Sequence, residues 1–213
     1  MYNKLVKVVH TQNAFGQNEL NFCDFDGQKL ALVEAESPLG AWCGCEVPIQ
    51  NEIRSIYSIE LYTENCSKTR EVLELLCYSF EPESLSYVRF YNRAAPHACY
   101  VDVKESVDVQ MGIMGAGTVH HVAFRVPDTQ KQENVRQGLI ERGLSPTSII
   151  DRRYFTCVYF REYSVILFEI ATNQPGFTVD EELFRLGSAL LLPPQYEVLR
   201  SEIEKQLPAV KFS

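Results

Sequence analysis

The chain contains no run of lysine or arginine long enough to form a sequence-independent phosphate footprint, and its 28 acidic against 20 basic residues give a net charge of −8. Both features argue against a nucleic-acid partner. No stretch reaches the roughly 20 apolar residues needed to cross a bilayer. Met1-Tyr2-Asn3-Lys4-Leu5-Val6-Lys7 lacks the apolar core of a secretory signal. A cytoplasmic protein without a membrane partner is therefore expected. Cysteine is present but unorganised: Cys23, Cys43, Cys45, Cys66, Cys77, Cys99 and Cys157 are odd in number and scattered, which fits reduced thiols better than a disulfide framework. Cys43-Gly44-Cys45 could bind a metal, yet no second Cys or His pair stands at zinc spacing. Histidine is scarce. Only His10, His97, His120 and His121 could supply an imidazole ligand.

Against these absences, 213 residues with 46% hydrophobic content can bury a full core in one or two domains. An internal repeat organises them. Ser55–Asn65 lies over Thr118–Asp128 at a constant offset of 63 (121 − 58), and each copy ends in an Asn or Asp suited to cap a helix. Val72, Leu73, Leu75 and Leu76 then fit a helix in the first copy, as Val135, Leu139 and Ile140 do in the second, where Gly143 stops it. Strand-rich stretches follow at Tyr87–Tyr91 and Cys99–Val103, and at Phe155–Arg161 and Val165–Ala171. The unit is a strand, a helix and three strands. Residues 52–106 and 117–174 make two such modules. Residues 1–36 read as the end of an incomplete earlier one, with two strands joined by the Asp26-Gly27 turn. A linker at 37–51, centred on Pro38 to Pro48 with Trp42, separates the first two. A tail at 175–213 carries an amphipathic helix from Gln195 to Leu207.

Chemistry concentrates in the second full copy. Alternation within Val119–Val126 turns His121 away from the apolar face of Val122, Phe124 and Val126 and leaves His120 on the core side. In Ile166–Ala171 the same alternation puts Glu169 on the face opposite Ile166, Phe168 and Ile170. An imidazole and a carboxylate suit iron or manganese when a third ligand completes a facial set with open positions. At the offset of 63, His120 and His121 correspond to Tyr57 and Ser58, so the earlier copy has no nitrogen ligand there. Asp102 lies roughly where Glu169 does and reads as a solvated or hydrogen-bonded strand residue. Lone strand histidines and tyrosines are more often packing or surface groups, and a buried Glu169 needs a metal, a cation or water beside it. His10 and His97 read as surface groups.

Gly117–Asp128, Asp151-Arg152-Arg153-Tyr154-Phe155, Tyr159-Phe160-Arg161-Glu162, Leu167–Thr172 and Pro175–Glu181, with Phe22–Gly27, Leu30–Glu34 and Leu191–Pro194, resemble the hydroquinone-specific ring-cleaving dioxygenases of the vicinal oxygen chelate (glyoxalase/bleomycin resistance/extradiol dioxygenase) superfamily. The resemblance implies an α+β fold of tandem βαβββ modules of glyoxalase type, the N-terminal one incomplete. It implies Fe(II) or Mn(II) held by His121 and Glu169, with His120 and Arg152 beside the ligands and Tyr159 facing a small aromatic substrate that meets O2. The family's remaining ligand, a His from a first module, has no counterpart here. Metal is thus expected to be weakly held or absent in the isolated chain. A non-catalytic, small-molecule-binding relative is the alternative. An unpaired sheet edge is expected to be covered by a second copy or by the missing module. Glu162-Tyr163-Ser164-Val165 replaces the family's glycine-rich hairpin, so a different turn is expected there and the register of Glu169 against Tyr159 is left open.

Overall fold

The computed structural model describes residues 6–41, 47–81, 87–95, 98–107 and 112–208. Trp42, Cys43-Gly44-Cys45 and His97 lie outside the described residues. The fold is α+β. Strands β1 (Val9–Gln12), β2 (Asn18–Cys23) and β3 (Lys29–Val33) form an antiparallel sheet in the order β1-β2-β3. The β2–β3 turn closes through Gly27 at φ +89°, with the Asp24 carboxylate accepting from Asp26 N at 3.0 Å and Gln28 N at 2.8 Å. Strand β1 was not predicted. Its four residues are all exposed, so no alternation marks it, and its pairing with β2 alone creates it.

The next two sheets share one plan. Strand β4 (Ser58–Thr63), helix α1 (Cys66–Leu75), β5 (Ser79–Glu81), β6 (Tyr87–Tyr91) and β7 (Tyr100–Glu105) give the order β4-β7-β6-β5. Strand β8 (Val122–Val126), helix α2 (Thr129–Glu141), β9 (Ile150–Asp151), β10 (Thr156–Arg161) and β11 (Leu167–Thr172) give β8-β11-β10-β9. In each, the first strand runs parallel to the last and the rest are antiparallel. Each helix begins where a side chain can take an orphan backbone N–H: Lys68 N donates to Asn65 Oδ1 at 3.1 Å, and Lys131 N to Asp128 Oδ1 at 2.8 Å. Gly143, at φ +77°, lets Leu144 N return to Leu139 O and end α2.

One core serves both sheets. Leu61, Val72, Leu73, Phe90, Val101 and Val103 of the earlier unit join Phe124, Val126, Val135, Leu139, Val158, Phe160, Phe168 and Ile170 of the later. A Cβ on Gly138 of α2 would lie 2.8 Å from Leu75 Cδ1 of α1, so that glycine sets the close approach of the helices. Gln132 is fully buried on α2 and donates to Thr156 O and Ile170 O, which fixes the helix on β10 and β11. With this face of the sheet buried, the opposite face of β8, β10 and β11 is left for chemistry. The tail runs through short 3-10 turns to α3 (Arg200–Gln206). The helix expected from Gln195 is a 3-10 turn over Pro194–Leu199 before it becomes α-helical at Arg200. Among the described residues, no helix is long and apolar enough to cross a membrane.

Candidate metal centre

The register of three strands assembles the site. Tyr159 on β10 pairs directly with Glu169 on β11, and Glu169 pairs with Ala123 on β8. Phe168 and Ile170 occupy the core side, so Glu169 and Tyr159 project from the other face, joined by His121 two residues before Ala123. His121 Nε2 lies 2.8 Å from Glu169 Oε2. The imidazole ring stands edge-on to the Tyr159 ring, with centroids 5.7 Å apart. The Glu169 side chain is 5% exposed against 31% for His121. Its second oxygen, Oε1, is buried without a hydrogen-bond partner. A buried carboxylate oxygen without a partner is costly, which makes this atom a place for a cation.

His120 differs from its expected place. It is exposed rather than on the core side, because β8 begins only at Val122 and strand alternation does not extend back to His120. Its Nδ1 is 2.8 Å from His121 Nδ1. One ring must donate and the other accept, so the contact couples the tautomers of the two rings and restrains the rotation of His121.

Arg152 is exposed and holds its guanidinium carbon 5.7 Å from the centroid of the Tyr159 ring. Burial pushes the Tyr159 phenol up to about 12, and the nearby Glu169 carboxylate adds to the effect. The phenol is therefore a proton donor at neutral pH. Cys157, fully buried two residues before Tyr159 on the same face, was not singled out from the sequence. Burial raises its thiol, while Arg152 acts in the opposite direction. Its signal was available: a residue two before a site tyrosine in a strand shares its face.

The hairpin after Arg161 secures this register without glycine. Val165 takes φ +67°, and Val165 N donates to Glu162 O at 2.9 Å. The buried Glu162 carboxylate accepts from Ser164 N at 2.7 Å and from Thr69 Oγ1 of α1 at 3.0 Å. The turn thus replaces glycine's freedom with a carboxylate staple to the neighbouring helix.

The equivalent place in the earlier copy is filled from within. Arg89 pairs with Asp102 across β6 and β7, as Tyr159 does with Glu169. Arg89 Nε and Nη2 donate to Asp102 Oδ1 and Oδ2 at 2.7 and 2.9 Å, and Nη1 donates to Gln17 Oε1 at 3.0 Å. Phe15 lies against the guanidinium at 3.7 Å. Asp102, expected to be solvated or hydrogen-bonded, is buried in this ion pair. A groove of about 510 Å³ lies elsewhere, beside Val6, Phe22, Phe25 and Leu30 of the first sheet.

Among the described residues, no group of three or more His, Cys, Asp or Glu side chains is placed to hold a metal. His121 and Glu169 are two side chains of metal-ligating type that the structure brings into contact. His10, on the exposed edge strand β1, is paired with Leu20 in a different sheet.

No family model matches the chain. It is 36% identical over 195 residues to MhqO of Bacillus subtilis (strain 168), named as a ring-cleaving dioxygenase, covering 91% of this chain and 62% of that one. A second such protein of that strain, MhqE, is 37% identical over 203 residues, covering 91% and 64%. The chlorohydroquinone/hydroquinone 1,2-dioxygenase of Sphingobium indicum is 27% identical over 215 residues, covering 95% and 65%. A solved structure from Bacillus subtilis, described as a dioxygenase, superposes with a TM-score of 0.87 at 34% identity over 97% of this chain and 66% of that one. The chain thus spans somewhat under two thirds of the length of the relatives it matches. Over that span, the repeated βαβββ sheets and the sequence similarity make the chain similar to these ring-cleaving dioxygenases.

Proposed function

We propose that this chain forms the substrate-facing and two-ligand part of a metal-dependent dioxygenase that opens hydroquinone- or catechol-like rings with O2. The supporting observation is the pairing of His121 Nε2 with Glu169 Oε2 at 2.8 Å beside the unpartnered buried Glu169 Oε1. An imidazole nitrogen and a carboxylate oxygen held this close are donors of the types that would suit a shared Fe(II) or Mn(II). His121 and Glu169 would hold the ion. Fe(II) or Mn(II) bound there would bring the phenolic substrate and O2 onto one centre and let electron density pass between them. His120 holds the far nitrogen of His121, and such support typically affects metal affinity 10–100-fold. Tyr159, kept protonated, offers a hydroxyl hydrogen to a substrate oxygen, and the Arg152 cation balances negative charge on the ring.

We read residues 52–106 and 117–174 as two βαβββ modules, 1–36 as the end of a preceding module, 37–51 as a linker and 175–213 as a tail. The third ligand then belongs to a first-module His in the part of the relatives that this chain does not span. A second reading, a non-catalytic small-molecule-binding relative, is favoured by the absence of a third ligand among the described residues.

An oxygen electrode separates the two. With Fe(II) and hydroquinone, the purified chain alone is expected to leave O2 unconsumed. Adding a polypeptide that carries the portion of MhqO that this chain does not match is expected to start uptake, and His121→Ala to stop it. If the mixture stays inert while an aromatic ligand still binds, the non-catalytic reading stands.

A further inference from the structure

Two motifs, Asp151-Arg152-Arg153-Tyr154 and Pro175–Asp180, lie at the rim of the site, and the proposed chemistry uses only Arg152 from them. The structure joins them. Asp180 Oδ2 and Oδ1 accept from Arg153 Nε and Nη2 at 2.6 and 2.7 Å. Tyr154 also hydrogen-bonds to Asp180, and these two partners hold its carboxyl below the usual range. Gly176 N donates to Tyr154 O at 2.8 Å, and the Phe177 ring lies 5.2 Å from that of Tyr154. Arg153 takes φ +69°, an unusual backbone state for a residue with a Cβ, and its N–H is taken by Asp151 Oδ1 at 2.7 Å. A conformation of that kind persists where surroundings over-determine it.

We infer that Asp180 is a positioning residue: by clamping Arg153 and Tyr154 it fixes the turn from which Arg152 reaches over Tyr159, and so ties the C-terminal segment to the site. The clamp grips the two residues that follow Arg152, whose own N–H is held by Phe155 O at 2.9 Å. Arg152 is exposed, and this backbone is what brings its side chain to the hydrogen bonds it makes with Cys157 and Tyr159. A bidentate pair defines direction as well as distance, which a single contact does not. Only the clamp's functional meaning rests on the reading of Arg152 as a substrate-facing cation.

The test uses the full chain with ¹³C,¹⁵N-labelled arginine, the Arg152 side-chain signals being assigned with Arg152→Lys. In the wild type, those signals should carry a ring-current shift from Tyr159 that Tyr159→Leu removes. Asp180→Asn is expected to remove most of the same shift while the thermal melt stays cooperative. Should Asp180→Asn not fold, Arg153→Lys, which keeps the charge but loses the bidentate fork, is expected to reduce the shift. An Arg152 shift that survives a folded Asp180→Asn or Arg153→Lys overturns the inference. Titration with 4-nitrocatechol, followed by its absorbance, then isolates the functional reading. Affinity about 10-fold lower in both Asp180→Asn and Arg152→Ala supports clamp and reading together. Wild-type affinity in Arg152→Ala refutes the substrate role of Arg152 and leaves the clamp to stand or fall on the shift.

Discussion

Glu169 is nearly fully enclosed, is satisfied by His121 at one oxygen and is unsatisfied at the other. Leaving such an atom without a partner typically costs about 1–3 kcal/mol, so its neighbours reveal what the site is for. Of the two adjacent histidines, only His121 faces it. His121→Ala should therefore remove Mn(II) binding, while His120→Ala should weaken it about 10-fold by freeing the ring it holds. Metal content after gel filtration of Mn(II)-loaded variants reads the difference, and equal loss from both would assign the ligand to the wrong neighbour. Val165 shows a different economy. A left-handed residue with a Cβ costs roughly 1–2 kcal/mol, of which glycine's extra freedom in the unfolded chain returns part. Val165→Gly should raise stability by up to about 1 kcal/mol, seen as a higher urea midpoint with the same slope. A lower midpoint would show that the half-exposed valine contributes more by packing than its backbone costs.

At the scale of elements, the repeat was legible because its signals are local. Caps at Asn65 and Asp128 and apolar spacing fixed α1 and α2, and β-rich stretches marked the longer strands. Strands β5 and β9 have three and two residues, too few to show a period, and exist through pairing with β6 and β10. Alternation misplaces His120 because it does not hold two residues before the true start of β8 at Val122. Of the site, His121, Glu169, Tyr159 and Arg152 could be named from motifs, whereas Cys157 and the clamp by Asp180 needed the register and the third dimension. The staple of Glu162 across the β10–β11 hairpin was equally invisible. Burial raises the Glu162 carboxyl above its ordinary value, outweighing the hydrogen bonds it accepts. Its contribution to stability is thus fully present below the unfolded-state pKa and is lost as pH rises through the higher folded value. Glu162→Gln, which keeps the acceptor oxygen and removes the charge, should gain stability relative to wild type at pH 8 and little at pH 4. Urea titrations at both values check this, and a gain confined to pH 4 would reverse the assignment.

Across the whole molecule, the β2–β3 turn of the first sheet packs against the segment that leads into β8. Gly117, at φ +76°, lies so close to the β2–β3 turn that a Cβ would clash with Asp26 O. Gly117→Ala would meet both a disfavoured backbone and a clash with main chain, so a loss on the order of 3 kcal/mol is expected. An unchanged urea midpoint would mean that the turn is free to move aside. The same sheet leaves Val8, Leu30 and Leu32 about half exposed on one face, and a further tie to the molecule is the contact of Phe15 and Gln17, in the β1–β2 turn, with Arg89. That contact sets the two copies apart in their dependence on the surroundings. In the later copy the carboxylate, on the proposed reading, would take an ion that can be diluted, starved or stripped by a chelator. In the earlier copy the positive charge is covalently part of the chain, at an effective concentration that no dialysis lowers. A chelator should thus leave the Asp102 half of the protein untouched. Whatever the supply of metal outside, half of the duplicated design carries its own permanent cation.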